Sequence, residues 1–223
     1  MARVTKIDNA FKKRFERKEQ KRKINIREYR LYYLIVCEGE KTEPNYFESL
    51  RKELPVGVLN IEIEGTGRNT SSLVDYTIKI RGKSIKNYDK VWAVFDKDSF
   101  PNKNFNDAIA KAEANNINCA WSNEAFELWF LLHFQFVNNA MNRDNYKAYL
   151  EREIKRKTGN KLYKYKKNAK DTYLLLEKYG DKNQAIIWAK ELKNLYSDQK
   201  FHTHNPCTLV YKLIEELLSH QIV

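Results

Sequence analysis

The stretch Tyr33-Leu34-Ile35-Val36-Cys37-Glu38-Gly39-Glu40-Lys41-Thr42-Glu43 decides how this chain is read. Its apolar half has the continuous hydrophobicity of a strand covered on both faces. The run stops on a carboxylate and a glycine, and Thr42 can then cap a helix whose first turns include Pro44. Open parallel α/β sheets bind ligands just beyond the carboxyl ends of their strands, so Glu38 stands where chemistry is usually placed. A second run, Lys90-Val91-Trp92-Ala93-Val94-Phe95, ends in the same manner on Asp96-Lys97-Asp98. Hard divalent cations take oxygen ligands from converging elements. Glu38, Asp96 and Asp98 are therefore a candidate site for Mg2+ or Mn2+.

Outward from these two strand ends, apolar alternation and helical spacing trade places. A helix is expected over Glu43 to Leu54, a strand over Val58 to Glu64 and a helix over Ser71 to Ile80. Beyond the second acidic turn come a turn over Ser99 to Asn104, a helix over Phe105 to Asn115 and a short strand over Ile117 to Trp121. A helix follows over Glu124 to Phe134. This alternation predicts a three-layer α/β domain with a mostly parallel sheet. From Tyr146 onward the pattern is helical, over Tyr146 to Arg156, Lys170 to Tyr179, Asn183 to Tyr196 and Thr208 to Ser219. The division expected is a basic arm over 1–28, an α/β core over 29–136 and a helical portion over 137–223 packed on that core.

The chain of 223 residues carries a formal charge of +12, with twelve Lys/Arg against four Asp/Glu in the first thirty residues. Such a segment attracts phosphate polymers and makes binding salt-dependent. Val4 to Lys23 has the makings of a charged helix with a thin apolar face. Lys155 to Lys170 is a second basic stretch, with Tyr163 and Tyr165 among the lysines, a composition found in single-strand-binding grooves and equally in solvated connections. The chain has no apolar run long enough to span a membrane, and residues 1–30 hold no apolar signal-peptide core, which points to the cytoplasm. Cys37, Cys119 and Cys207 are too scattered for a zinc ribbon and read as reduced core thiols. Gly65-x-Gly67 lacks the lysine and hydroxyl of a P-loop, so any nucleotide-driven control would have to come from a partner.

Three further residue groups extend the candidate site. Asn123 and Glu124 follow a strand and can reach the same rim, and Glu127 and His133 lie on the ensuing helix. Glu124 or Glu127 could serve a second ion, and His133 could protonate a leaving oxygen. As a residue packed beside Trp129 and Phe134, His133 is the more ordinary core histidine. Lys41, Lys97 and Asn123 are candidates for contacting a substrate phosphate, or for neutralising and tethering the acids around them.

Taken together, the motifs carry a resemblance. Glu38-Gly39 after one apolar strand and Asp96-x-Asp98 after another resemble a Toprim domain, the catalytic fold of topoisomerases, bacterial primases and OLD-family nucleases. More narrowly, Val36 to Phe47, Phe95 to Asp98, Ser122 to Phe134 and Asn205-Pro206-Cys207-Thr208 are similar to the motifs of RloB-like proteins. The similarity runs from about Tyr32 to Leu217. It implies a bacterial phage-defence protein of the RloB or AbiLii type, a metal-dependent nuclease acting on RNA, tRNA included, or on DNA. It further implies control by an AAA-type ATPase of the RloA type. By that resemblance Glu38 is the first-strand glutamate, metal ligand or base, and Asp96 and Asp98 are metal-binding acids. Toprim sites also perform transesterification and polymerisation, and a degenerate Toprim fold can act as a non-catalytic binding module for nucleic acid or a partner. Homo-oligomerisation stays open.

Overall fold

The computed structural model describes residues 31–55, 58–97 and 101–221. The basic arm, the helical expectation over Val4 to Lys23 and Asp98 lie outside the described residues.

The described chain begins with β1 (Leu31–Cys37), then α1 (Thr42–Arg51), β2 (Leu59–Gly65), α2 (Thr70–Lys83) and β3 (Lys90–Asp96). It continues through α3 (Asn102–Ala114), β4 (Asn118–Asn123) and α4 (Glu127–Leu132). The remainder is α5 (Arg143–Thr158), α6 (Thr172–Tyr179), α7 (Lys182–Asn194), β5 (Cys207–Thr208) and α8 (Val210–Leu218). The five strands form one sheet in the order β2-β1-β3-β4-β5, with the first four parallel and β5 antiparallel to β4. After β2 the chain returns across β1 to lay down β3. The direction of sheet growth therefore reverses between β1 and β3, and the two carboxyl ends there diverge around a crevice. Glu38 and Asp96 flank it.

Register and pleat then decide which side chains share a face. Ile35 pairs with Trp92 and Cys37 with Val94, so Tyr33, Ile35, Cys37, Trp92, Val94 and Asp96 point to one side. Helix α8 covers that side, where the Trp92 indole N–H donates to Glu216 at 3.3 Å. On the other side α2 and α3 pack on each other, and Phe95 meets Phe105 edge to face with centroids 5.7 Å apart. A second apolar layer joins the C-terminal helices to the sheet. Tyr46 of α1 touches Phe126, Phe130 of α4 and Tyr173 of α6, all four rings buried. The helical portion and the sheet thus form one compact unit over the described residues.

Several local readings change. Helix α4 has only six residues, because 123–126 turn the chain out of β4 and Glu124 is committed elsewhere. Thr208, read as a helix start, lies in β5; its hydroxyl meets that of Ser122 at 2.9 Å, a pairing that depends on a residue 86 positions away. Thr42 does not cap α1, whose N-cap is Lys41 without a side-chain bond. The three thiols are free, and burial pushes those of Cys119 and Cys207 up to about 12, which keeps them protonated and unreactive. Among the described residues no helix is long and apolar enough to cross a membrane.

Candidate functional site

The carboxyl ends of β1 and β3 are tied directly. The Glu38 N–H donates to the Val94 carbonyl at 2.8 Å, and the Asp96 N–H donates to Glu38 Oε2 at 3.1 Å. Glu38 is thereby held across the crevice by the backbone of the neighbouring strand. Asp96 is buried at 8% exposure. Burial first, then the charges of Glu43, Glu127 and Glu38, push its carboxyl well above the usual carboxylate range, and Lys167 opposes the rise.

Two of these acids arrive from helices. Glu43 sits in the first turn of α1, where the helix dipole favours an anion, and is 4% exposed. Burial raises its carboxyl, its own backbone amide, Lys167 and the Gly39 amide pull it down, and Glu127 pushes it up again. Its Oε2 is buried without a hydrogen-bond partner. A side chain at position 39 would collide with this carboxylate, so Gly39 is required for the close approach of the β1–α1 turn to Glu43. Glu127 opens α4, is 6% exposed, and accepts from the Tyr165 hydroxyl at 3.2 Å.

The cation comes from far along the chain. Residues 160–171, between α5 and α6, form a strap across the start of α1. Thr42 Oγ1 lies 2.9 Å from the Lys167 carbonyl and 3.1 Å from Asn168 Oδ1, and Asn45 Nδ2 donates to the Asn168 carbonyl at 3.2 Å. The hydroxyl expected to cap a helix instead anchors this strap. Lys41 is exposed and lines a cavity of about 250 Å³ with Gly39, Glu43 and Lys167.

The other expected site residues lie elsewhere. Glu124 accepts the Arg143 N–H at 3.1 Å and faces Asn205 Nδ2 at 3.5 Å, joining β4, α5 and the loop before β5; its charge acts on Tyr146 together with those of Asp96 and Glu127, so it borders the acid group. Asn123 is buried and donates to the His202 carbonyl at 3.1 Å, which ties β4 to the loop before β5. Lys97 is buried, and its N–H donates to the Ser122 carbonyl at 2.8 Å. His133 packs edge-on against Trp129, centroids 4.8 Å apart, and its Nδ1–H donates to the Trp129 carbonyl at 2.9 Å. Burial lowers it to about 4, and the charges that act on it, Lys182 and Asp181, belong to the helical side and not to the acid group. Tyr163 and Tyr165 do not form a stacking platform: the first packs against the core and the second is 4% exposed.

The oxygen-only donor set suits a hard divalent cation, and the unpartnered Glu43 oxygen is a buried acceptor in need of a proton or a cation. Among the described residues no group of three acidic, His or Cys side chains is already arranged to hold an ion. Magnesium bound through one or two carboxylates, with water and phosphate completing its shell, requires no such group. The residues fit the ion on these terms, with Glu38 and Asp96 as first candidates and Glu43 a third that sequence reading passed over. Its one sequence signal was an acid in the first turn after a strand end.

Fold and site together define a doubly wound α/β domain with an acidic crevice at its switch point, consistent with a Toprim-like arrangement. Within that class the chain belongs to the RloB-like family: residues 33–217 match the family described as RloB-like protein. No curated protein and no solved structure matches the chain.

Proposed function

We propose that the protein is a metal-dependent nuclease that hydrolyses phosphodiester bonds of RNA, tRNA included, or of DNA. The observation that carries this reading is the gathering of Glu38, Glu43, Asp96 and Glu127 at the switch point. Keeping acids together in a buried crevice costs stability, and active sites are where such arrangements are retained. A bound Mg2+ or Mn2+ would polarise the scissile phosphate and activate a water. Glu38 and Asp96 would hold the ion, and the Asp96 N–H fixes the Glu38 carboxylate. Tyr165 orients Glu127, and Gly39 lets Glu43 approach. Lys167 offsets negative charge where a phosphate would add more.

The setting that goes with this reading is phage defence in the bacterial cytoplasm, with an AAA-type ATPase of the RloA type restraining or triggering the nuclease. What supports it is the family membership. The test compares wild type, Glu38→Gln and Asp96→Asn on tRNA, single-stranded RNA and DNA with Mg2+ or Mn2+, with and without that ATPase. Metal-dependent cleavage by wild type alone is expected. Equal cleavage by all three proteins would remove the acids from the mechanism.

A second reading, a nucleic-acid-binding module without catalysis, draws on the lack of a ready three-ligand group among the described residues. Calorimetric titration with Mg2+ or Mn2+, with and without an oligonucleotide, separates the two. Binding of nucleic acid with no uptake of metal would favour the module.

A further inference from the structure

Beside the acid crevice lies a cavity of about 410 Å³, the size of a pocket that takes a nucleotide-scale ligand. Glu127 and Lys167, whose charges act on Asp96, both border it, so it lies beside the crevice. The rest of its wall is of opposite character to the acids: Arg143 and Lys147 come from the first turns of α5, and Lys166 from the strap. Asp144 also lines it, so the cavity sets four cations against two carboxylates. One of those carboxylates, Glu127, is buried and takes the Tyr165 hydroxyl, whereas Lys147, Lys166 and Lys167 are exposed.

The strap that carries two of these lysines is pinned along its length. Tyr165 donates its N–H to Glu151 at 3.0 Å and its hydroxyl to Glu127, while Thr42 and Asn45 hold 167–168 from the other side. These bonds turn Tyr165 inward and hold the backbone of 165–168 in place, while the side chains of Lys166 and Lys167 stay exposed. The tyrosines of this basic stretch anchor it, and the lysines define its surface.

We propose that this cavity is a subsite for a phosphodiester group of a nucleic-acid strand, flanking the position at the acid crevice. With four cations against two carboxylates, the wall favours an anionic occupant over a metal ion. The buried ring of Tyr165 offers no face for a stacked base, so the strand is held by its backbone. Recognition here is sequence-independent, and Lys147 and Lys166 contribute as phosphate contacts. The proposal rests on the nuclease reading only for what happens in the crevice; the binding is separable from it.

The test is fluorescence anisotropy in EDTA, where metal-dependent cutting is silent, with short labelled single-stranded RNA, single-stranded DNA and duplex DNA. Wild type is compared with Lys147→Ala/Lys166→Ala and with Lys200→Ala/Lys212→Ala, which removes the same charge from exposed positions outside this cavity. The first pair is expected to weaken binding to at least one polymer about tenfold or more at 0.1 M salt, and to reduce the salt slope by about 1.4 on a single strand. The polymer affected identifies the strand that enters. The second pair is expected to change affinity by less than about twofold, as a diffuse field predicts for distant charges. Equal weakening by both pairs, or none by the first, overturns the subsite. So does displacement of the oligonucleotide by poly-glutamate as readily as by unlabelled oligonucleotide. Cleavage by wild type is scored separately in Mg2+, with and without the ATPase, so that an untriggered nuclease is distinguished from an inactive one. Selective binding loss with no cleavage upholds the subsite and counts against the nuclease reading, and cleavage with unselective binding does the reverse.

Discussion

Asp96 and His133 are both buried ionisable groups in one continuous core, and burial pushes each toward its neutral form; what differs is the company each keeps. Around His133 the conflict between charge and burial is resolved by giving up the charge. The ring is held neutral by burial, fixed by one hydrogen bond to Trp129 and packed against its indole. At the switch point burial also disfavours the charge, but there several carboxyls compete in one crevice. Asp96 feels the charges of Glu38, Glu43 and Glu127, with the exposed Lys167 of the strap as a counter-charge. Under the nuclease reading, the cation that the proposed activity calls for would complete this group of acids.

The largest break in this comparison is expected in activity. Under the nuclease reading, Asp96→Asn or Glu38→Gln should reduce metal-dependent cleavage by roughly 1,000-fold, or about 4 kcal/mol in the barrier, because the ion loses an anionic ligand. His133→Gln should leave the metal dependence intact. Gel-based cleavage rates at several Mn2+ concentrations check both.

Next comes the pH dependence of stability. The His133 pKa is depressed to about 4 in the folded protein, against about 6.5 in an unfolded chain. Between these values the unfolded chain binds the extra proton. Stability from this group is fully present above pH 6.5 and is lost as pH falls toward 4, by about 3 kcal/mol in total. Asp96 and Glu43 are raised, so protonation favours the folded state and they act with the opposite sign as pH falls. Urea denaturation from pH 7 to pH 4 should show a shallow net slope in wild type. The slope should steepen in Asp96→Asn, and His133→Gln should turn toward acid stabilisation.

A smaller effect sharpens the same contrast. Without added metal, Asp96→Asn is expected to stabilise the fold by about 2 kcal/mol, seen as a higher Tm, because the amide enters the crevice without the cost of either burying or protonating a carboxylate at neutral pH. Added Mn2+ should raise the Tm of wild type and much less that of the variant. Smallest is Gly39→Ala, whose methyl group meets the Glu43 carboxylate. It should lower cleavage about tenfold, or about 1.4 kcal/mol, with little change in metal-free Tm.

The sheet was legible because the strands advertise themselves. Buried parallel strands are uninterrupted apolar runs, and Tyr33 to Cys37 and Val91 to Phe95 have no competing helical period. Glu38 and Asp96 were legible for the same reason, as charges placed where such a run must stop. Glu124 and Glu127 were not separable: both follow a strand in one short segment, and only the turn of the chain sends one to Arg143 and Asn205 and the other to Tyr165. Thr42 carried a capping signature, but the bond it makes depends on a strap 125 residues away.

By itself, then, the sequence determined the alternation of elements, the two acidic strand ends and the basic character of the stretch near Lys166, because these follow from local periodicity and composition. Tertiary structure alone decided that Glu43 and Glu127 join Asp96, that His133 belongs to the core, and that Lys167 faces the acids. It also turned Tyr165 inward. Each of these outcomes is set by packing between segments far apart in the chain, and burial and Coulomb interactions depend on distance in space, which local sequence does not encode.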